Sequence, residues 1–436
     1  MTPKWQQTDH PVHPQALRFT KNIRSIALLG VVTVALAVTA CGSDDGGQTA
    51  PSGIDADVAE LLGPAAPAQG QPVRIGLVTD GESAITDTSV EPAAADATVA
   101  YLNEHKAGIA GRPIELVKCE TLADPARGTD CGNRMIEENV VAVLLGNSAV
   151  SESVWEPLHA AGVPVMIFAA SGADLLADTQ STFVLTDANF GVVTLPLRLA
   201  EQSGATKVSS VVINVPAALN LVQNVAPPLY EAAGIDFELV AIAPGTADMT
   251  PEMQAVIDGG ADLVFMIGND AFCISAMNGL HAVGYEGEIS AISQCLTDAT
   301  REAVPENVLE GTVVSASAPV GLDNSSTRIY GAVVATYGDD IDTSQTLGIS
   351  MFTTVSAFQT GTEGIVGEVT SESIIDALKA MPELDLPGVE GLRFRCNGNA
   401  VPDSPATCVR GGLVTTLDAH GQPAEYEALG VSPIED

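Results

Sequence analysis

The chain has 436 residues, which is more than a single hydrophobic core usually serves and enough for two lobes of about 150–200 residues each. A hydrophobic fraction of 46% and a mean hydropathy of +0.24 exclude a disordered chain. The 55 acidic and 18 basic residues give a formal net charge of −37, which argues against nucleic acid as a partner because phosphates are neutralised by clustered Lys and Arg.

The N-terminal region has the features of a secretory signal. Arg18, Lys21 and Arg24 lie just before an apolar run over residues 26–37, which is shorter than the roughly 20 residues of a spanning helix. The run ends in Val-Thr-Ala-Cys41, which resembles the lipobox of bacterial lipoproteins, whose Cys is lipidated. We therefore expect a signal peptide over residues 1–40, and a lipidated Cys41 with a flexible tether over residues 41–71. The alternative is an ordinary signal or membrane anchor with a chance Cys.

After residue 72, short β-branched runs alternate with helical stretches in two consecutive sets. In the first set we predict strands over residues 73–78, 114–118, 140–145 and 163–168, and helices over 92–104, 129–138 and 154–161. In the second set we predict strands over 208–213, 237–242, 263–267 and 289–292, and helices over 194–202, 220–233, 251–259 and 271–283. Near-continuous apolar strands separated by helices predict an α/β protein with two doubly wound parallel-sheet lobes.

The last part of the chain has too few elements for a third domain. It contains predicted strands at 312–315, 392–394 and 413–417, and predicted helices at 325–337, 350–359 and 371–380. We expect these pieces to complete the two earlier sheets, so that the chain crosses between lobes three times, near residues 189, 311 and 396–408. The predicted first lobe comprises residues 72–189 and 312–394, and the predicted second lobe comprises residues 190–311 and 395–436.

Six cysteines follow Cys41 and fall into three local couples. The couples are Cys119 with Cys131, Cys273 with Cys295, and Cys396 with Cys408. An oxidising, extracytoplasmic compartment favours closing the nearest loops, so we expect these sequential pairs to form disulfides. No couple has C-x-x-C spacing and the six His are scattered, which argues against a metal site or thiol redox chemistry.

The sequence carries no recognised catalytic motif. It lacks G-x-S-x-G, H-E-x-x-H and the phosphate-binding G-x-x-x-x-G-K-[ST]. The glycines after the first predicted strand, Gly76 and Gly81, do not have the G-x-G-x-x-G spacing of a dinucleotide site. We therefore predict a protein without enzymatic activity and without a cofactor.

An ordered set of short segments resembles type I periplasmic binding proteins of the leucine/isoleucine/valine-binding class. The segments cover residues 111–117, 123–127, 141–148 and 161–165 in the first half, and 229–234, 261–265 and 280–285 in the second. The resemblance implies two lobes joined by a three-segment hinge, which close on a small ligand and present it to an ABC importer. Closure of this kind is driven by ligand only if the closed form binds more tightly than the open form.

The resemblance also implies ligand-binding residues in the first lobe. The loop after the third predicted strand, with Asn147, Ser148 and Ala149, and the loop after the fourth, with Ala170, Ser171 and Gly172, match the family loops that hold a ligand carboxylate. Asp80 and Glu82 follow the first strand and border the same predicted cleft. For Ser148 and Ser171 the alternative role is a helix N-cap, and one hydroxyl can serve both roles.

The second lobe departs from the amino-acid-binding pattern of the family. The family places an acidic residue for the ligand ammonium in the loop where this chain has Gln294. Asp270, next to Asn269, could take that role, or could cap the following helix. Phe272 could stack on the ligand or belong to the core. The ligand is therefore open among an amino acid, an amide, a carboxylate and an aromatic compound.

The sequence as a whole predicts an extracytoplasmic solute-binding lipoprotein. We expect it to be lipid-anchored on the outer face of the cell membrane, with ABC permease and ATPase subunits as partners. The alternative is a sensory receptor subunit of the same fold, which passes its signal to a membrane partner.

Overall fold

The computed structural model describes residues 56–83 and 87–436. The predicted signal peptide, the predicted lipid attachment at Cys41 and the first part of the predicted tether lie outside these residues. In the described part of the chain, none of the helices has both the length and the apolar character of a membrane span.

The predicted tether is shorter than expected, because residues 56–71 are folded against the first lobe. Helix α1 (Ala56–Leu62) places Val58, Leu61 and Leu62 at the spacing of one helical face. Leu62 is only 2% exposed and belongs to the first-lobe core. The amides of Ala66 and Ala68 then donate hydrogen bonds to carbonyls in the adjoining lobe. The burial of these apolar side chains is what converts the second half of the predicted tether into structure.

A parallel five-stranded sheet forms the centre of the first lobe. Its strands are β1 (Val73–Thr79), β2 (Ile114–Glu120), β3 (Val143–Leu145), β4 (Val165–Ile167) and β5 (Thr182–Val184), in the spatial order β2-β1-β3-β4-β5. Every pair in this sheet is parallel. Side chains alternate between the faces, so that Ile75 and Leu77 enter one core cluster while Val78 enters another.

Helices cover both faces of this sheet. They are α2 (Val90–His105), α3 (Pro125–Glu137), α4 (Ser151–Ala160) and α5 (Ala173–Leu176). Leu102 of α2 packs into the first cluster, whereas Met135 of α3 and Leu158 of α4 pack into the second. This double coverage explains the near-continuous apolar sequence of the strands and confirms the predicted doubly wound architecture.

A seven-stranded sheet forms the centre of the second lobe. Its strands are β6 (Lys207–Ile213), β7 (Asp236–Ile242), β8 (Leu263–Ile267), β9 (Glu288–Ala291), β10 (Val313–Ala316), β13 (Gly412–Leu417) and β14 (Pro423–Leu429), in the order β14-β13-β10-β9-β8-β6-β7. The pairs from β7 to β10 are parallel, and β13 pairs antiparallel with both β10 and β14. In β8, Phe265 faces one core cluster and Met266 the other.

The helices of the second lobe follow its strands in turn. They are a π-helical turn (Phe190–Thr194), α6 (Leu195–Ser203), α7 (Pro216–Asn224), α8 (Ala226–Ala233), α9 (Thr250–Asp258), α10 (Asp270–Ala282), a 3₁₀ turn (Ser293–Cys295), α11 (Asp298–Ala303) and α12 (Glu306–Leu309). The helix predicted over residues 220–233, with a bend or break at Pro227-Pro228, is two helices, because α7 ends before Val225 and α8 begins with these two prolines in its first turn.

Three later helices return to the first lobe. They are α13 (Ser325–Tyr337), α14 (Thr346–Thr362) and α15 (Ser371–Ala380), followed by a short hairpin of β11 (Leu384–Asp385) and β12 (Arg393–Phe394). Tyr330, Phe352 and Leu378 of these helices lie in the same cluster as the α2 side chains. The late helices thus cover the first sheet, and β13 joins the second sheet, as the sequence predicts. The predicted strand at 392–394 joins neither sheet, because β12 pairs with β11.

The chain passes between the two sheets after β5, after β10 and before β13. The second passage follows Ala316, whereas the sequence placed it near residue 311. The reason is that β10 pairs with β9 and β13 in the second sheet, although the predicted first lobe included it. The exact lobe boundaries remain a prediction.

The three predicted disulfides are confirmed. Cys119 is bonded to Cys131, Cys273 to Cys295, and Cys396 to Cys408. The first ties β2 to α3, the second ties α10 to the 3₁₀ turn after β9, and the third closes the loop that precedes β13.

Candidate functional site

The loops that follow β3 and β4 line a cavity of about 400 Å³, here called the main cavity. Asn147 and Ser148 come from the first loop, and Ala170 and Ser171 from the second. These loops are neighbours because the carboxyl ends of parallel strands meet at one edge of a sheet. The two first-lobe loops that the sequence indicated are therefore neighbours at one edge of the sheet, and their role in binding stays a prediction.

The opposite wall of the main cavity is built by the three passages between the sheets, by the strand ends that adjoin them and by the loop of the β11–β12 hairpin. The lining residues are Leu185, Thr186, Asp187, Ala188, Phe190 and Gly191 around the first passage, Ser315, Ala316 and Ser317 around the second, Val409, Gly411, Gly412 and Leu413 around the third, and Leu386, Val389 and Leu392 in the hairpin loop. The cavity thus lies at the junction of the two lobes, where a change in the angle between the lobes would change its shape.

The side chain of Asp80 holds the loop after β3 in place by accepting hydrogen bonds from it. Its side chain is fully buried and its Oδ1 accepts hydrogen bonds from Thr121 Oγ1 at 2.5 Å and from Ser148 Oγ at 2.6 Å. Its Oδ2 accepts a third from the amide of Ala149 at 2.8 Å. Asp80 is therefore a positioning residue, and its side chain does not line the main cavity.

A smaller recess of about 90 Å³ adjoins the main cavity and shares Asn147, Phe168, Ala169 and Ser317 with it. We call it the side recess. It is closed by α14, which contributes the polar residues Thr346, Ser350 and Thr354, together with Leu347 and Met351. Its one charged lining residue is Glu91, in the first turn of α2.

Glu91 has a buried carboxyl group in which one oxygen accepts a hydrogen bond and the other has no hydrogen-bond partner among the described residues. The residue is 2% exposed, and Oε1 accepts a hydrogen bond from the amide of Asn147 at 2.8 Å. Oε2 has no hydrogen-bond partner among the described residues. Burial raises the pKa of Glu91 to about 8, and the nearby charge of Asp80 acts in the same direction.

Asp187 places a second carboxyl group in the wall of the main cavity. It lies in the first passage between the sheets, and its Oδ1 accepts a hydrogen bond from the amide of Asn189 at 3.0 Å. Burial raises its pKa to about 6, against the lowering effect of the Asn189 and Phe190 amides. Among the described residues that line the main cavity and the side recess, none is Lys, Arg or His.

The remaining first-lobe residues predicted from the sequence lie around this site in different ways. Ala149 and Gly172 line an outer groove that shares Ser148, Ser151 and Ser171 with the main cavity. Glu82 is exposed and lies outside the lining of the main cavity. The Ser148 hydroxyl serves the loop itself, because it donates to Asp80 and accepts from the amide of Val150.

The second-lobe residues predicted from the sequence do not line the main cavity. Asn269 caps α10 by accepting from the amide of Phe272 at 3.0 Å, and Gln294 is exposed. Asp270 accepts hydrogen bonds from the amide of Ala271 and from Thr297 Oγ1. Phe272 is 4% exposed and packs in the second-lobe core, which is the alternative that the sequence left open.

Sequence reasoning missed Glu91 and Asp187. Glu91 lies one residue before the helix predicted over residues 92–104. Its position in the first turn of α2 is an ordinary place for an acidic residue. Asp187 follows a three-residue strand that the sequence analysis did not identify. In the described part of the chain no group of three or more His, Cys, Asp or Glu side chains is placed to hold a metal ion.

Two doubly wound lobes, three passages between them and strand-end loops around a junctional cavity define the type I binding-protein fold. The family model described as periplasmic binding protein matches residues 72–412. The chain belongs to this family, and its fold is that of the leucine/isoleucine/valine-binding class.

Solved structures agree with this assignment of the fold. A Rhodospirillum rubrum protein provisionally named a branched-chain amino acid ABC transporter aligns with a TM-score of 0.69 and 16% identity, over 82% of this chain and 99% of that chain. The substrate-binding protein LivJ of Streptococcus pneumoniae, in complex with isoleucine, aligns with a TM-score of 0.57 and 15% identity, over 82% and 99%.

A solute-binding protein of Rhodopseudomonas palustris, in complex with p-hydroxybenzoic acid, aligns with a TM-score of 0.60 and 18% identity, over 84% of this chain and 98% of that chain. Proteins with this fold thus hold ligands of different chemistry. No curated protein sequence matches the chain.

Proposed function

We propose that this protein is an extracytoplasmic solute-binding lipoprotein that captures a small polar solute in the main cavity and delivers it to an ABC importer. The observation that carries the proposal is the main cavity itself. Its walls come from the strand-end loops of one lobe and from all three passages between the lobes. A solute held there contacts the segments about which the lobes would move, so binding and closure are coupled.

The proposal includes a binding role without chemical conversion of the solute. The main cavity is lined by Ser, Ala, Gly and apolar residues, by Asn147 and Thr186, and by Asp187 as its charged member. A hydrolase would need a nucleophile paired with a base, and the Ser148 hydroxyl is engaged with the Asp80 carboxylate and the Val150 amide. The structural neighbours named above are transport proteins.

The second-lobe loops would complete the site on closure. Asn269, Asp270 and Gln294 lie at or just beyond the carboxyl ends of β8 and β9, the edge at which α/β sheets bind ligands. We propose that rotation about the three passages brings this edge toward the solute. Phe272 is packed in the second-lobe core, from which it would support the loop that carries Asn269 and Asp270.

The proposal is tested by measuring the thermal unfolding of the full chain with a panel of amino acids, amides and small carboxylic acids. A solute at 100 times its Kd should stabilise the folded state by about 2.7 kcal/mol, which corresponds to about 3 °C for a protein of this size. Binding should leave the solute intact when the mixture is analysed by mass spectrometry.

A cavity-filling variant and a matched control locate the binding site. Ala170→Trp places an indole in the main cavity and should abolish the thermal shift, whereas Ala177→Trp, at an exposed position after α5, should retain it. If no solute of the panel raises the Tm, or if Ala170→Trp binds as the wild type does, the proposed site is wrong.

A further inference from the structure

The charges that face the proposed site are all carboxylates. Glu91 lines the side recess and Asp187 lines the main cavity, with no basic side chain among the described lining residues of either. Asp80 lies directly beneath the loop after β3. A site with this distribution has no positive charge to neutralise a solute anion, whereas a solute cation can be balanced by ionisation of Glu91, whose pKa of about 8 leaves it largely protonated near pH 7 in the empty site.

Three donors of the loop after β3 that could hold a solute carboxylate are already engaged. The amide of Asn147 donates to Glu91, and both the hydroxyl of Ser148 and the amide of Ala149 donate to Asp80. In this loop the protein's own carboxyl groups therefore occupy positions that the family resemblance assigned to a ligand carboxylate. The side-chain amide of Asn147 lines both cavities and can donate to a solute, but it is uncharged and does not neutralise an anion.

One oxygen of the Glu91 side chain lacks a hydrogen-bond partner among the described residues, and a solute could supply that partner. This oxygen, Oε2, is buried, and it lies against Gly146, where a β-carbon would come within 2.3 Å of it. A buried carboxyl oxygen without a hydrogen-bond partner raises the free energy of the folded protein, and an opposite charge or a hydrogen-bond donor reduces that free-energy cost. The side recess, with about 90 Å³, has room for a small polar head group.

We propose that the solute carries an ammonium or guanidinium group, which enters the side recess and binds the Glu91 carboxylate. This inference rests on the proposed solute-binding function and specifies the chemical class of the solute. Ser350, Ser317 and Thr354 surround the same recess and offer neutral oxygen acceptors. Asp187 contributes a second negative charge along the path through the main cavity.

Solutes that differ only in charge provide the test. One set is 1,5-diaminopentane, 1,5-pentanediol and glutarate, and a second set is butylguanidine, butylurea and hexanoate. We expect the cationic member of at least one set to bind the full chain at least tenfold more tightly than its neutral and anionic counterparts, measured by calorimetry. Tighter binding of the neutral or anionic members, or no binding by any member, overturns the inference, whereas the proposed function is decided separately by the thermal-shift panel.

Glu91→Gln tests the residue itself. Glutamine keeps the side-chain shape and an oxygen that can accept from the Asn147 amide, but it removes the negative charge. Cationic solutes should lose at least tenfold in affinity, while the matched surface variant Glu137→Gln, at an exposed position on α3, should bind as the wild type does. Unchanged affinity of Glu91→Gln for the tightest cation, in a variant with a cooperative thermal transition, overturns the assignment.

Proton release gives a second readout that a merely structural residue would not produce. Because burial raises the pKa of Glu91 to about 8, a cation that binds its ionised form near pH 7 should expel a proton. Asp80 is the other charged group acting on Glu91, and Asp187 is the other titratable group in the cavity walls. Calorimetry in two buffers of different ionisation enthalpy should show proton release for the wild type and its loss in Glu91→Gln; equal release by both variants contradicts the proposal.

Discussion

At the scale of single residues, the site depends on a close approach between Gly146 and Glu91. A β-carbon at position 146 would lie 2.3 Å from Glu91 Oε2 and 3.0 Å from Thr79 Cγ2. Glycine is therefore required here by space, since its backbone dihedrals are not left-handed. The absence of a side chain allows the carboxyl group to lie beneath the loop after β3 and to receive the amide of Asn147.

The raised pKa of Glu91 predicts a pH-dependent stability. The pKa is about 8 in the folded protein, against an ordinary value of 4.5, so between these values the folded protein binds a proton that the unfolded chain has lost. The contribution of Glu91 to stability is therefore fully present below about pH 4.5 and is lost as the pH rises toward 8. The loss attributable to Glu91 should be about 2–4 kcal/mol, or about 2–5 °C in Tm.

Glu91→Gln should remove that loss. The Tm of the solute-free variant should exceed that of the wild type by an amount that grows between pH 5 and pH 8.5, in thermal melts followed by circular dichroism. Asp187, whose pKa is raised to about 6, should lower the Tm of both proteins alike over the lower part of this range. Two parallel curves would show that the Glu91 carboxyl group is not buried as described.

At the scale of elements, the sequence predicts those whose apolar pattern is set by local burial. The prediction for β8 over residues 263–267 and those for α13 and α15 coincide with the structure. Strands β5 and β14 were missed for two different reasons. The former has only three residues, and the latter, with the acidic sequence Pro-Ala-Glu-Tyr-Glu-Ala-Leu, is an edge strand held by its pairing with β13.

The same distinction applies to the candidate site. Loops at the carboxyl ends of β3 and β4 could be predicted, because parallel topology alone places them at one edge. The roles of Glu91 and Asp187 depend on how α2 and the first passage pack around the cavity, which no local pattern encodes. Sequence reasoning therefore found the edge of the first-lobe sheet and missed the carboxyl groups that line the main cavity and the side recess.

The disulfide between Cys273 and Cys295 predicts a stability effect separable from binding. It closes a loop with a sequence separation of 22, and the loss of such a constraint costs about 3 kcal/mol in the chain-entropy model. The double variant Cys273→Ala/Cys295→Ala should therefore unfold about 4 °C lower under non-reducing conditions. Its solute affinity should stay within about twofold of the wild type, because neither cysteine lines the main cavity.

The first-lobe pair supplies the control for this experiment. Cys119→Ala/Cys131→Ala removes a loop with a sequence separation of 12 and should lower the Tm by a similar amount. A large loss of affinity in the second-lobe variant alone would contradict the separation of stability from binding. It would show that this disulfide itself positions the loops, with Asn269, Asp270 and Gln294, that are proposed to complete the site on closure.

At the scale of the whole molecule, charge and anchoring act together. A net charge of −37 produces a negative potential that raises the local concentration of cationic solutes and their association rate, an effect that salt reduces. The same charge repels anionic head groups. Electrostatic attraction to the membrane surface is therefore not expected, and the proposed attachment depends on lipid at Cys41 or on contact with the proposed importer.

The proposed attachment at Cys41 predicts a lipidated N-terminus. Membrane fractions of a bacterium that produces the chain should contain it, and mass spectrometry should find a peptide that begins at Cys41 and carries acyl chains. Cys41→Ala should lose the lipid mass and be recovered in the soluble extracytoplasmic fraction. Without the acyl chains that give durable anchoring, the apolar run over residues 26–37 would have to hold the chain, and that run is too short for a stable span.

The Cys119→Ala/Cys131→Ala variant, which keeps Cys41, should remain with the membrane. An unmodified Cys41 in the wild type, or a Cys41→Ala protein that still sediments with washed membranes, would contradict the lipoprotein assignment while leaving the solute-binding site untouched.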